Sequence, residues 1–186
     1  MDWRAALHDD VVRNGSIGRV TVVLFRLNQL TRLSQLRRGP KRYLALLLLM
    51  PLIRVCKYVW VDLLMGAELP RELDCGPGLR LPHGGRGVIV HRSTRLGRDV
   101  TLFQGVNLGI SEAFDADGVA IPDLGDGPVL GDGVYVGRGA SVFGPVKIGA
   151  RSRIGAMAVV LDDVEADTTV VGIPARPLGD ARRSRG

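Results

Sequence analysis

From Leu130 onward the chain can be written in sixes: LGDGVY, VGRGAS, VFGPVK, IGARSR, IGAMAV, VLDDVE. An aliphatic residue recurs at 130, 136, 142, 148, 154 and 160, and Val134, Ala140, Val146, Ser152, Ala158 and Val164 follow four places later. Six consecutive turns leave little room for chance. A six-residue period is a signature of a parallel β-helix, in which three short faces make one coil of about eighteen residues. Each face supplies an inward aliphatic residue and a small residue near a tight corner. Glycine after the aliphatic position suits a corner that leaves no room for a Cβ. Each coil buries its edge on the next, so the two ends need caps.

The same period runs upstream from Val90 to Asn107 as VHRSTR, LGRDVT, LFQGVN, with Leu108 opening the next coil. Between the two runs, ISEAFDADGVAIPDLGDGP carries the acids, glycines and prolines of a loop, 110–128. A second interruption is smaller. From Leu81 to Val90 the spacing is nine residues rather than six, so PHGGRG holds an excess of three that must bulge out of the coil around His83. A bulge re-aims a side chain. At the other end, VVGIPARPLGD leaves the repeat, Pro174 and Pro177 are expected to stop further pairing, and 180–186 reads as a disordered tail.

Residues 1–67 have a different character. GRVTVVLFRLNQLTRLSQL, 18–36, spaces Val20, Val23, Leu24, Leu27, Leu30, Leu33 and Leu36 as an amphipathic helix does, and Arg37-Arg38-Gly39-Pro40 stops it. A second stretch is apolar almost all round from Tyr43 to Ile53, too short to span a bilayer as a helix. It reads as a helix buried on a neighbour or another subunit, or as an interfacial segment with Arg37, Arg38, Lys41 and Arg42 beside anionic lipid. This third of the chain holds eleven Lys/Arg and four acids, more than the whole net charge of +6. Such a bias invites nucleic acid, yet aromatics are only 5% and no recognition-helix or RNA-stacking motif is present, so no nucleic-acid partner is expected. MDWRAALHDDVVR lacks the apolar core of a secretory signal. Two cysteines, Cys56 and Cys75, make no disulfide framework, and the reading is a reducing, cytoplasmic protein. Asn14-Gly15-Ser16 matches a glycosylation acceptor and reads as an ordinary turn.

LPHGGRGVIV around His83, DVTLFQGVNLG from Asp99 to Gly109 and the closing VVLDDVEADTTVVGIPARPLG resemble the hexapeptide acyltransferase superfamily, in its serine acetyltransferase-like branch. The resemblance covers Glu68 to Gly179. It implies a left-handed parallel β-helix over 68–179, an exception to the right-handed crossover rule, preceded by an α-helical segment over 1–67. It implies acetyl-CoA as co-substrate and His83 as the base that takes the proton of an acceptor hydroxyl, chemistry that imidazole suits near neutrality. The family's orienting acid lies fifteen residues before that histidine, where Glu68 stands, with Asp74 as a competing acid. Cofactor contacts are implied at Gly109, Gly139, Ala140, Ala156 and Ala158, where small residues allow close approach, and at Arg176 toward a phosphate. The family assembles as trimers, with the cofactor between subunits, or as pairs of trimers. The other histidines fit no role: His8 lies in a charged helix, and His91 occupies an outward hexapeptide position. Three histidines at these spacings argue against a zinc site.

Two departures bear on the acceptor. Pro82 stands where serine acetyltransferases carry an acid beside the histidine, and Asp126-Gly127 stands where an arginine-histidine pair is expected. Those family groups bind the amino acid. The leading expectation is therefore O-acetylation of a sugar or glycan-like hydroxyl, in the manner of bacterial exopolysaccharide O-acetyltransferases, with peripheral contact at the inner membrane face. The alternatives are serine O-acetylation and a non-catalytic β-helix docked to membrane or protein.

Overall fold

The six-residue period closes into stacked triangular coils in a computed structural model, which describes residues 3–36, 44–111, 113–114, 120–121 and 126–178. One face stacks Asp74–Cys75, Arg95–Leu96, Val129–Leu130 and Lys147–Ile148 in parallel. The second stacks Thr101–Leu102, Tyr135–Val136, Arg153–Ile154 and Thr169–Val171, headed by Arg80. The third stacks Ile89–Val90, Asn107–Gly109, Ser141–Phe143 and Val159–Val160, headed by Glu68. Eighteen residues separate Leu130 from Ile148 beneath it, but twenty-one separate Cys75 from Leu96. The excess of three is therefore real.

Every repeat position from Leu130 to Val164 named above is buried, and these residues join one continuous core with Leu81, Leu102 and Leu108. The glycines after the aliphatic positions are required by the stacking. A Cβ on Gly131 would lie 2.8 Å from the backbone nitrogen of Ala150, and one on Gly97 2.8 Å from that of Asp132. Neither neighbour can retreat, because each belongs to the next coil. At the C-terminal end the chain turns back and pairs antiparallel, Val171 with Arg176 and Val170 with Pro177. Pro177 thus takes part in pairing, contrary to the sequence expectation, and what it ends is the parallel stack.

The opposite end is capped by helices α1 (Trp3–Arg13) and α2 (Ser16–Leu36). The uppermost coil has no coil above it, so its upward N–H and C=O groups need other partners. Side chains supply them. The Asp10 carboxylate accepts the Leu79 N–H at 2.8 Å, and Asn14 donates to the Leu79 carbonyl and accepts the Leu81 N–H, each at 2.7 Å. Arg26, paired with Asp10 at 2.6 Å, donates to the carbonyls of Cys75 at 3.0 Å and Gly76 at 2.6 Å. Gln29 reaches the Leu73 carbonyl at 2.8 Å. Asn14 is buried, so the apparent glycosylation acceptor is neither a surface site nor an ordinary turn. Val22 and Phe25 of α2 enter the core of the coils beneath this polar layer.

Helix α3 (Leu44–Lys57) runs into a π-helix, Tyr58–Leu64. Met50 is buried, whereas Leu52, Val55, Tyr58, Val59, Leu63 and Leu64 are exposed; the side chains of 43–49, the greater part of the apolar run, lie outside what the structure describes. No helix among the described residues is long and apolar enough to cross a membrane. The basic run 37–42 and the 180–186 tail lie outside the described residues, as does most of the 110–128 loop, in which Ala113–Phe114 pairs antiparallel with Ala120–Ile121.

The cysteines separate by position. Cys75 is buried under Arg26, and burial pushes its thiol up to about 12, against the pull of the nearby guanidinium. Cys56 is exposed. Because the thiolate is the reactive form, a maleimide reagent at pH 7.5 should modify one thiol per native chain, Cys56, and reach Cys75 only on unfolding. Rapid native modification of both would contradict the capped core.

Candidate active site

The three extra residues of the bulge are His83, Gly84 and Gly85: Leu81 stacks on Leu102 before them, and Gly105 donates its N–H to the Arg86 carbonyl at 2.9 Å after them. Pro82–Gly85 is a kinked turn, with His83 and Gly84 outside the helical φ/ψ region. Four backbone angles are left-handed within five residues, φ 57° at His83, 78° at Gly84, 71° at Gly85 and 66° at Gly87. Glycine bears this without strain, whereas an L-residue such as His83 is held there at a cost of about 1 kcal/mol. The strain falls on the residue that the bulge presents, for His83 is exposed while Gly84 and Gly85 are buried.

The His83 ring lies 6.4 Å from that of Phe103, which lies 5.1 Å from that of Tyr135. Both pairs are tilted contacts of ordinary aromatic range. This row runs from the histidine down the stack. Below the bulge, Gly87, Gly105 and Gly139 superpose at one corner, each built Cβ meeting the next glycine's Cα at 3.7 and 3.6 Å. The column ends at Met157, whose sulfur would lie 2.6 Å from a Cβ on Gly139. A ligand could approach the backbone closely along this corner as far as that thioether.

Glu68 heads the third face, with its N–H on the Val88 carbonyl at 2.8 Å and its carbonyl accepting the Val90 N–H at 3.0 Å. It lines a surface cavity of about 440 Å³ together with Ile89, His91, Arg92, Asn107 and Gly109. His83 is not among the lining residues, and among the described residues it makes no hydrogen bond or ion pair with Glu68. A fifteen-residue spacing places the two on the same coil without joining them. Asp74 heads the first face and is exposed, on a different face from Glu68.

The expected cofactor residues divide. Gly109 opens onto the cavity and Gly139 onto the glycine corner. Ala156 is exposed, whereas Ala140 and Ala158 are fully buried and their amides and carbonyls already serve the coil ladder. Direct approach of a ligand to Ala140 or Ala158 is closed by the stack. Arg176 is exposed and donates to Asp162 at 3.1 Å.

Sequence reading passed over His91, which is half-buried in the cavity wall rather than freely exposed. Ser93 Oγ accepts the Gly127 N–H at 2.7 Å and lies in hydrogen-bond contact with His91 Nδ1, 2.8 Å away. Burial and then the charge of Arg92 hold the His91 pKa below its usual value, favouring the neutral ring. The only signal in sequence was the HRS spacing of two. Gly127 itself is buried, and a Cβ there would lie 2.8 Å from Ser93 Oγ. This position offers no side chain to an acceptor. Phe103, Tyr135 and Asn107, outward residues of the repeat, were also not singled out.

No family model matches the chain. It is 36% identical over 124 residues to a serine acetyltransferase of Mycobacterium tuberculosis, covering 67% of this chain and 50% of that protein. The chain spans about half the length of the curated relatives it matches. Among solved structures, soybean serine acetyltransferase complexed with serine superposes with a TM-score of 0.67 at 25% identity, over 95% of this chain and 68% of that one. A serine acetyltransferase in complex with CoA superposes with a TM-score of 0.65 at 22% identity, over 95% and 68%. These likenesses identify the coils as left-handed, so the fold is the left-handed parallel β-helix that the resemblance implied, preceded by short helices.

Proposed function

We propose that this chain, a hexapeptide-repeat protein of the serine acetyltransferase-like branch, transfers an acetyl group from acetyl-CoA to the hydroxyl of a small acceptor, with His83 as the general base. The observation that carries the reading is the bulge: a strained, exposed histidine built into an otherwise regular coil, beside a corner of stacked glycines. An alcohol becomes an effective nucleophile only as its proton is accepted, and imidazole accepts it near neutral pH. The hydroxyl oxygen attacks the thioester carbonyl, the proton passes to the His83 ring, and collapse of the tetrahedral intermediate expels the CoA thiolate, which takes the proton back from His83.

Glu68 would orient His83 only after a change of rotamer or on assembly, since the single chain leaves them apart. A trimer with the cofactor between subunits is part of this reading. Gly139, Ala156 and Gly109 are its contacts on this chain, and Arg176 reaches a cofactor phosphate by leaving Asp162.

The relatives named above are serine acetyltransferases, which supports L-serine as acceptor over the carbohydrate that the sequence put first. The carbohydrate reading keeps one specific support: Pro82 is not an acid, and Gly127 has no room for a side chain. Thiol release from acetyl-CoA decides between them. With L-serine, turnover well above the acceptor-free rate is the expected result; turnover with sugars or a glycan extract and none with serine would replace serine by a carbohydrate. If no acceptor supports release and acetyl-CoA fails to bind, the enzyme reading falls and the docking scaffold replaces it.

A further inference from the structure

The bulge is held on both sides of His83. Before it, the Leu81 N–H is held by Asn14. After it, Gly87 donates its N–H to the Met65 carbonyl at 2.8 Å. In the middle, the Gly84 carbonyl accepts the hydroxyl of Thr21 at 2.9 Å. Thr21 belongs to α2, is fully buried, and receives the indole N–H of Trp60 at 3.3 Å. Trp60 lies in the π-helix, whose wide turn sets the indole against α2. Packing adds to the hold, because a Cβ on Gly84 would lie 2.5 Å from Ile17 Cγ2 and 3.0 Å from Met65 Sδ. The Thr21 hydroxyl thus links Trp60, thirty-nine positions away, to the carbonyl of Gly84, sixty-three positions away and next in sequence to the strained histidine.

We propose that Thr21 is a positioning residue for His83: its hydroxyl, itself fixed by Trp60, anchors the Gly84 carbonyl, fixes the Gly84–Gly85 peptide and so restrains the turn that directs the imidazole. The helical segment is then part of the site's machinery as well as a cap. This inference rests on His83 being the base, and the hydroxyl acts through the backbone without touching substrate. Small errors of placement are costly in such sites, a displacement of about 1 Å lowering rates by up to roughly 10²-fold.

Thr21→Val keeps the volume and removes the hydrogen bond, and Thr21→Ser keeps the hydroxyl. Two readouts are needed, the NMR signal of the His83 Cε1–H and the steady-state constants. In Thr21→Val the His83 signal should shift while those of His8 and His91 hold, and kcat should fall about tenfold with KM for acetyl-CoA unchanged. Thr21→Ser should restore both. Trp60→Phe, which keeps an aromatic ring and removes the indole N–H, should move the His83 signal in the same direction, and serves if Thr21→Val fails to fold. An unmoved His83 signal in Thr21→Val, or in Trp60→Phe where that variant stands in, overturns the proposal; so does failure of Thr21→Ser to restore it, which would assign the effect to packing. If the wild-type protein transfers no acetyl group, the base reading fails separately, and the His83 signal still judges the anchor.

Discussion

Replacing His83 by asparagine is expected to reduce kcat for acetyl transfer by roughly 10²–10⁴-fold, the range that removal of a general base usually costs, with little change in stability. The argument is one of position. His83 is exposed and no hydrogen bond of the described residues is lost with it, so the fold has little at stake in the ring. Its φ of 57° is the constraint that matters. Asparagine visits the left-handed region more readily than other non-glycine residues, which makes it a milder probe of the backbone than alanine. The aromatic contact with Phe103 is worth at most about 1 kcal/mol. Unfolding midpoint and acetyl-CoA affinity should therefore match wild type while turnover collapses. A variant with turnover within a few fold of wild type would remove His83 from the chemistry, and the strained bulge would need another purpose.

How far this could be read from sequence depends on how local each signal is. Inward positions such as Leu130, Val136 and Val142 recur every six residues and line the core, so the periodicity fixed the coils and their register. The excess at the bulge could be counted for the same reason. Partnerships across the chain left no such trace. Asn14 looks like any turn residue until Leu79 and Leu81 are placed 2.7 Å from its two ends. Ser93 and Gly127 are thirty-four residues apart and announce nothing by spacing. Glu68 could be picked by its distance along the chain from His83, but that distance says nothing about where a carboxylate points. Ala140 and Ala158 were read as small residues permitting approach from outside, whereas the coil uses their smallness inside. A small residue in a repeat reports crowding without reporting on which side.

The polar layer between helices and coils carries the largest expected effect on stability. Asp10 and Arg26 are 0% and 5% exposed at their side chains, and their pairing is surrounded by the groups it was built to satisfy. Asp10→Ala leaves a buried guanidinium without its carboxylate and the Leu79 N–H without an acceptor. Loss of one partner from a buried pair costs about 3–5 kcal/mol, against a total stability of about 5–15 kcal/mol for a domain. At fixed protein concentration, the urea midpoint should fall steeply, and the loss should reach the site, because Asn14 and Thr21 share the same helices and hold the bulge at Leu81 and Gly84. A second substitution separates charge from packing. Arg26→Met on the Asp10→Ala background removes the stranded cation and replaces it by a flexible apolar chain, so the double variant should recover part of the lost stability. The recovery should be incomplete, since the Cys75 carbonyl and the Leu79 N–H lose the partners that Arg26 and Asp10 supplied. An Asp10→Ala variant within about 1 kcal/mol of wild type would mean that water replaces the carboxylate at the coil edge, because that is the largest effect expected of an exposed ion pair; the helices would then be held by the apolar contacts of Val22 and Phe25 and by the hydrogen bonds of Asn14, Thr21 and Gln29.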